Sequence, residues 1–195
     1  MTAAAVPPSS DRWSGPDLWR QRLGNYTVED VLSLPDDAPR VELRDGVMIV
    51  VPSPTFGHQK ISTLLWHWLR QQAPRKLEPS IATGVIVGPD QTFEPDVLLL
   101  VAETINFESH YATAEQVSLV VEVVSPSTRR RDRLEKPVYY AEAGIPHYWR
   151  IEQNPVHVYA YDLVDGRYEL VAESAEELVL AKPFELRLRV RDITP

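Results

Sequence analysis

Two apolar runs, each interrupted by a carboxylate, constrain this chain more than any other feature. Phe93-Glu94-Pro95-Asp96-Val97-Leu98-Leu99-Leu100 brings a Pro-Asp step into a strand-like stretch, and Leu119-Val120-Val121-Glu122-Val123-Val124 sets one Glu among Val and Leu with no alternating polar face. Continuous runs of this kind read as apolar strands with a carboxylate buried among Val and Leu. A carboxylate inside such a strand is strongly unfavourable unless a cation or hydrogen-bond donors meet it. Two such residues in separate strands suggest one shared partner, and a divalent metal ion is the simplest. The structural alternatives are that Asp96 binds backbone N–H groups in a turn after Pro95, and that Glu122 forms an ion pair with Arg150 or Lys136.

Composition narrows what that partner can be. The 195 residues contain no Cys, which excludes disulfides, thiolate metal sites and Cys nucleophiles, so any metal must use oxygen or imidazole. A 44% hydrophobic and 25% charged chain of this length predicts one core burying about 70% of its unfolded surface. We expect a tail over residues 1–24, with Trp13, Leu18 and Trp19 as docking candidates, followed by a single domain over 25–195. Neither a signal-peptide pattern nor an apolar stretch near the roughly 20 residues of a membrane span is present, which predicts a soluble, cytoplasmic protein without membrane association. The net charge of −8 disfavours binding nucleic acid over the whole surface. Arg129, Arg130, Arg131, Arg133 and Lys136 nevertheless concentrate basic charge just after the Glu122 run, so a local basic patch stays possible.

Hydrophobic periodicity supplies the framework. Thr27 and Asp30 predict a capped short helix ending before Pro35, and the Asp45-Gly46 step within 40–50 predicts a hairpin. Ile61, Leu64, Leu65, Trp68 and Leu69 recur at helical spacing and predict a helix over 57–72 that packs across a sheet. Strands are expected over 81–87, 95–101, 118–124, 147–152, 156–162 and 168–171. A basic helix over 128–143 should kink or restart near Lys136, because Pro137 suits only a first turn. These elements imply an α/β (α+β) fold, a mixed β-sheet flanked by helices.

The ordered series Arg40-Val41-Glu42-Leu43-Arg44-Asp45-Gly46, Ser53-Pro54 with His58, Pro95-Asp96-Val97, Glu122-Val123-Val124-Ser125-Pro126-Ser127-Thr128, Asp132, Lys136, Tyr140 and Gly144-Ile145-Pro146-His147-Tyr148-Trp149 resembles the Uma-two family of proposed restriction endonucleases, from about residue 26 to 161. Pro-Asp followed by a strand Glu likewise resembles the wider PD-(D/E)XK nuclease superfamily. The resemblance implies a restriction-endonuclease-like fold and a Mg²⁺- or Mn²⁺-dependent endonuclease that hydrolyses phosphodiester bonds, with DNA as partner, RNA not separated from it, and a homodimer as a plausible assembly. It implies Asp96, Glu122 and the Val123 main-chain carbonyl as metal ligands. Val124 stands where the superfamily has Lys, and the family pattern relocates that lysine to Lys136 on the following helix.

Beside these, Glu42 is a third acid, acting through a water or by orienting the nucleophile. His58 either shares a proton with the attacking water or meets phosphate at a helix start, and Tyr140 either binds phosphate or holds Lys136. Asp132, four residues before Lys136, reads as an ordinary surface ion pair. Arg129, Arg130, Arg131 and Arg133 are weak nucleic-acid contacts whose plain reading is a solvated face. The alternative function is a catalytically inactive module of the same fold that binds nucleic acid or a protein.

Overall fold

The structure, a computed structural model, describes residues 24–35, 37–125 and 129–195. The expected tail over 1–24, with its Trp13, Leu18 and Trp19, falls almost wholly outside the described residues, as do residues 126–128 of the family-like motif.

Among the described residues the chain builds two mixed sheets, a two-stranded antiparallel sheet and three α-helices. Helix α1 (Val28–Leu32) starts at Thr27, which forms a reciprocal capping box with Asp30. Strands β1 (Val41–Arg44) and β2 (Val47–Val50) form the expected hairpin, with Asp45 and Gly46 both at positive φ, as a tight two-residue turn requires. Helix α2 (Phe56–Gln72) follows, capped by the Thr55 hydroxyl. Strands β3 (Leu77–Ile81), β4 (Gly84–Gly88), β5 (Gln91–Phe93), β6 (Val97–Val101), β7 (Tyr111–Thr113) and β8 (Val117–Val123) lead to helix α3 (Lys136–Glu142). Strands β9 (His147–Gln153), β10 (Val156–Val164), β11 (Arg167–Ser174), β12 (Glu177–Leu180) and β13 (Leu186–Arg189) complete it.

The larger sheet runs β11-β10-β9-β8-β6-β3, with β8 and β9 parallel, and the smaller runs β2-β1-β5-β4-β7. One strand was expected over 81–87; instead Ala82 takes a left-handed conformation (φ 53°), ending β3 in the large sheet and sending β4 into the small one. Strands β5, β7, β12 and β13, of three or four residues each, are too short to announce themselves, and β11 extends beyond the 168–171 expected for it.

Both faces of β6 and β8 are covered, which is why their sequences do not alternate. On one face Ile61, Leu65 and Leu69 of α2 pack on Val97, Leu99, Leu119 and Val121. On the other, Leu98, Leu100 and Val120 meet Phe93, Tyr140 and Tyr148 beneath α3. Glu122 shares the Val120 face, so its strand carries a carboxylate into a closed compartment. Two polar ties fix the small sheet against α3 and the turn before it: Tyr139 donates to Asp45 at 2.7 Å and Arg44 donates to Glu135 at 2.7 Å. Leu65 is fully buried between α2 and the sheet, so Leu65→Ala should lower the unfolding free energy by about 2–5 kcal/mol in urea denaturation, with the midpoint shifting and the slope unchanged.

Candidate active site

The site forms where β8 ends, β6 begins and the small sheet meets α3. Asp96 immediately precedes Val97, and Glu122 immediately follows Val121, which is Val97's cross-strand partner. Antiparallel pairing therefore brings the two acids together from distant stretches of sequence. Asp96 is fixed by its own backbone, its N–H donating to the Val121 carbonyl at 3.1 Å, while its Oδ2 accepts the Val123 N–H at 2.7 Å. The turn reading of Asp96 holds to the extent that a backbone N–H orients it.

Lys136 is the centre of the cluster. Its Nζ lies 2.8 Å from Glu122 Oε1, 2.8 Å from Glu42 Oε1 and 4.0 Å from Asp132 Oδ1. All four side chains are almost completely enclosed, at 2–4% exposure. The backbone explains how a lysine arrives there. Residues Arg131–Glu135 form a π-turn, the Lys136 N–H bonding the Arg131 carbonyl, and α3 starts afresh at Lys136 with Pro137 in its first turn. Proline supplies no N–H and its ring crowds the carbonyl four residues back, so the wider turn removes a conflict that a regular helix would retain. The Tyr148 hydroxyl donates to the Asp132 carbonyl at 2.6 Å and holds this turn.

Several sequence readings need correction. Asp132 belongs to no surface ion pair, because the π-turn directs it inward and leaves it 2% exposed. Tyr140 is fully buried and its hydroxyl donates to Glu122 Oε1 at 2.6 Å, so it meets Lys136 only through the oxygen the two share. Of the two ion-pair partners considered for Glu122, Lys136 takes the role, while Arg150 turns to Glu152 at 3.3 Å and to the Tyr159 ring. Arg131 is no solvated side chain, lying 3.3 Å from Glu42 Oε2 at 18% exposure. Arg133 pairs with Glu152 at 2.8 Å, whereas Arg129 and Arg130 are exposed. His58 Nε2 lies 3.2 Å from Asp96 Oδ2, so an imidazole already meets one of the expected metal donors. Sequence reasoning put Asp132 and Arg131 on the surface because charged neighbours disguise their burial; the one signal against that was Pro137.

Charge sets the protonation states. Burial, reinforced by Asp132, Asp96 and Glu42, outweighs Lys136 and pushes the Glu122 carboxyl up to about 8. Burial also opposes ionisation of Glu42, but Lys136 and Arg131 prevail and hold it below its ordinary value. Burial disfavours the Lys136 ammonium, yet Glu122, Glu42 and Asp132 together raise its pKa, so it stays charged. For His58, the Asp96 carboxylate overcomes burial and raises the imidazole.

Among the described residues, no three carboxylate, imidazole or thiol groups stand ready to hold a metal ion. The donor chemistry still suits a hard divalent cation: Asp96, 19% exposed at the mouth, Glu122 beside it and the Val123 carbonyl are oxygen donors. The carboxylate excess that raises Glu122 is the electrostatic demand that such an ion would meet. As the side chains stand, Lys136, Tyr140 and His58 engage these oxygens.

A mixed sheet flanked by helices, with acids from two adjacent central strands and a lysine from the helix that follows, is a restriction-endonuclease-like architecture. The chain belongs to the Uma2 family, described as "Putative restriction endonuclease", whose profile matches residues 28–191. Its fold is similar to that of a "putative nuclease belonging to DUF820" from Anabaena variabilis, with a TM-score of 0.70 over 86% of this chain and 96% of that one at 19% identity. No curated protein matches the chain.

Two outcomes follow from the cluster. Replacing Lys136 by Met leaves Glu42, Glu122 and Asp132 facing one another without their cation and should cost about 3–5 kcal/mol of stability at pH 8, part of it restored by adding Glu122→Gln, as read by urea unfolding. Glu122 keeps its proton in the folded state up to about 8 but would release it near 4.5 when unfolded. Its contribution to stability is therefore present below the lower value and is lost as pH rises through the upper one. Stability should carry a declining component from about pH 5 to 8 that Glu122→Gln abolishes.

Proposed function

We propose that the chain is a Mg²⁺- or Mn²⁺-dependent endonuclease that hydrolyses phosphodiester bonds in DNA, with its chemistry at the Asp96, Glu122, Glu42 and Lys136 cluster. The observation that carries this reading is the convergence of strand acids on one enclosed lysine at the open end of β8, within the Uma2 family. Asp96, Glu122 and the Val123 carbonyl would hold the ion. Bound there, a divalent ion lowers the pKa of the attacking water and offsets charge on the phosphate.

The remaining tasks fall to this chain's side chains. Lys136, anchored by Glu42 and Glu122, presents fixed positive charge toward the phosphate without needing to reorganise as charge develops. Glu42 and Tyr140 position it, Glu42 directly and Tyr140 by bonding the Glu122 oxygen that Lys136 also uses. His58, at the site's edge, holds a proton at Nε2 against Asp96 and orients that carboxylate. One site cuts one strand, so cleavage of both strands needs two copies or two encounters.

A second reading has its own support. The Lys136 ammonium already lies between Glu42 and Glu122, and the chain carries a net charge of −8; both suit an inactive module that binds nucleic acid or protein. Incubating supercoiled plasmid with the purified protein separates the two. Nicked or linear product in Mg²⁺ or Mn²⁺, absent with chelator and in Asp96→Ala/Glu122→Ala, is the expected result. Mn²⁺ at pH 8 should also raise the melting temperature of the wild type but not of the double variant. If plasmid, single-stranded DNA and RNA all survive and Mn²⁺ produces no thermal shift, the inactive module is the better reading.

A further inference from the structure

A cleft of about 560 Å³ adjoins the acid and lysine cluster without being part of it. It shares three stretches of chain with the site: Thr55 lies three residues before His58, Val124 follows Val123, and Arg133 follows Asp132. Its far wall is β10, where the His157 and Tyr159 rings stack with centroids 4.5 Å apart and planes 23° from parallel. The Arg150 guanidinium backs this wall, 4.2 Å from the Tyr159 centroid.

Register fixes where the wall stands. Glu122 is opposite Arg150, and Arg150 is opposite Tyr159. Residues opposed across strands project from the same face, so Tyr159 lies beside Glu122 on that face, two strands or about 10 Å away. The volume falls within the roughly 300–1,000 Å³ of small-molecule sites, and the lining is unlike an apolar pocket. Arg129 and Arg133 face one carboxylate, Glu152, which makes the cleft basic on an acidic protein. Asn154 contributes an amide suited to a base edge. Phe56, 95% exposed in the first turn of α2, stands between cleft-lining Thr55 and site-facing His58.

We propose that this cleft receives one unpaired nucleotide of a DNA strand next to the phosphate to be cut. Its base lies against the His157 and Tyr159 wall, and its phosphate meets Arg129 and Arg133. Phe56 stacks on the adjoining base, as apolar wedges do at unstacked steps. Aromatic stacking tolerates any base, so the subsite selects for strandedness and not for sequence. The preferred substrate is single-stranded DNA, or a duplex with an unpaired or extruded nucleotide at the cut. The inference rests on the nuclease reading only for the identity of the neighbouring phosphate.

Fluorescence anisotropy with the full chain tests it, using a short labelled single-stranded DNA, the same strand with consecutive abasic positions, its matched duplex and an RNA of the same sequence. Tyr159→Ala should weaken binding to the intact strand roughly tenfold and leave binding to the abasic strand unchanged. Phe56→Ala should do the same to a smaller extent, and the matched duplex should bind more weakly than the single strand. Arg129→Glu, a surface change with no folding risk, should weaken binding and lower the salt slope by about one. Equal losses on intact and abasic strands, no effect of Arg129→Glu, tighter binding of duplex or RNA, or no binding at all would overturn the proposal. Tyr159-dependent binding without plasmid cleavage would keep the subsite and remove the nuclease. Cleavage with affinity indifferent to Tyr159 and to abasic positions would do the reverse.

Discussion

The Lys136 ammonium, enclosed at 3% exposure and 2.8 Å from both Glu42 and Glu122, joins three parts of the molecule at one buried point. Glu42 belongs to the small sheet, Glu122 to the large sheet and Lys136 to α3. An enclosed ion pair seldom adds net stability compared with a hydrophobic replacement, but it strongly penalises any arrangement that separates its members. The hairpin ties through Asp45 and Arg44 follow the same geometry at the surface. The result is a single register between the two sheets and the helix, and with it a fixed position for the acids.

The cluster is graded from inside to outside. Lys136, Glu122, Glu42 and Asp132 are enclosed, whereas Asp96, His58 and Arg131 are 11–19% exposed and form the mouth. Enclosed charges in a region of low polarisability interact strongly and are little screened by salt. The mouth is where a phosphate or a hydrated ion would first make contact. The basic cleft beyond it continues the same sheet face, so the cluster and the cleft lie along one β8-β9-β10 surface.

Much of the fold can be read from local pattern. The Asp45-Gly46 turn, the capping box at Thr27 and the apolar stripe of α2 are all short-range signals, and each element forms where its residues place it. The unalternating Val and Leu runs likewise indicated strands, which the structure covers on both faces. The short strands β5, β7, β12 and β13 were not legible, because a strand of three or four residues is defined by the neighbours it pairs with more than by its own composition. The break at Ala82 was equally hidden, since a left-handed alanine has no sequence signature. In the site, Asp96, Glu122, Lys136 and Glu42 stood out as acids or a lysine in family-like motifs. Asp132, although in the same series, and Arg131 were read as surface residues, since charged residues in a basic helix look solvent-facing at any regular helical spacing.

The sequence by itself determined that oxygen and imidazole are the available metal donors, that two central strands each carry one acid, and that Pro137 interrupts a helix at Lys136. Tertiary structure decided how those acids are used. Antiparallel pairing of β6 with β8 sets Asp96 beside Glu122, and the π-turn before Pro137 rotates Asp132 and Lys136 inward. Burial disfavours both charged forms, and the neighbouring acids decide between them, holding Lys136 as the ammonium and opposing the Glu122 carboxylate. Such effects depend on distance and enclosure, which a chain acquires only when residues far apart in sequence are packed together.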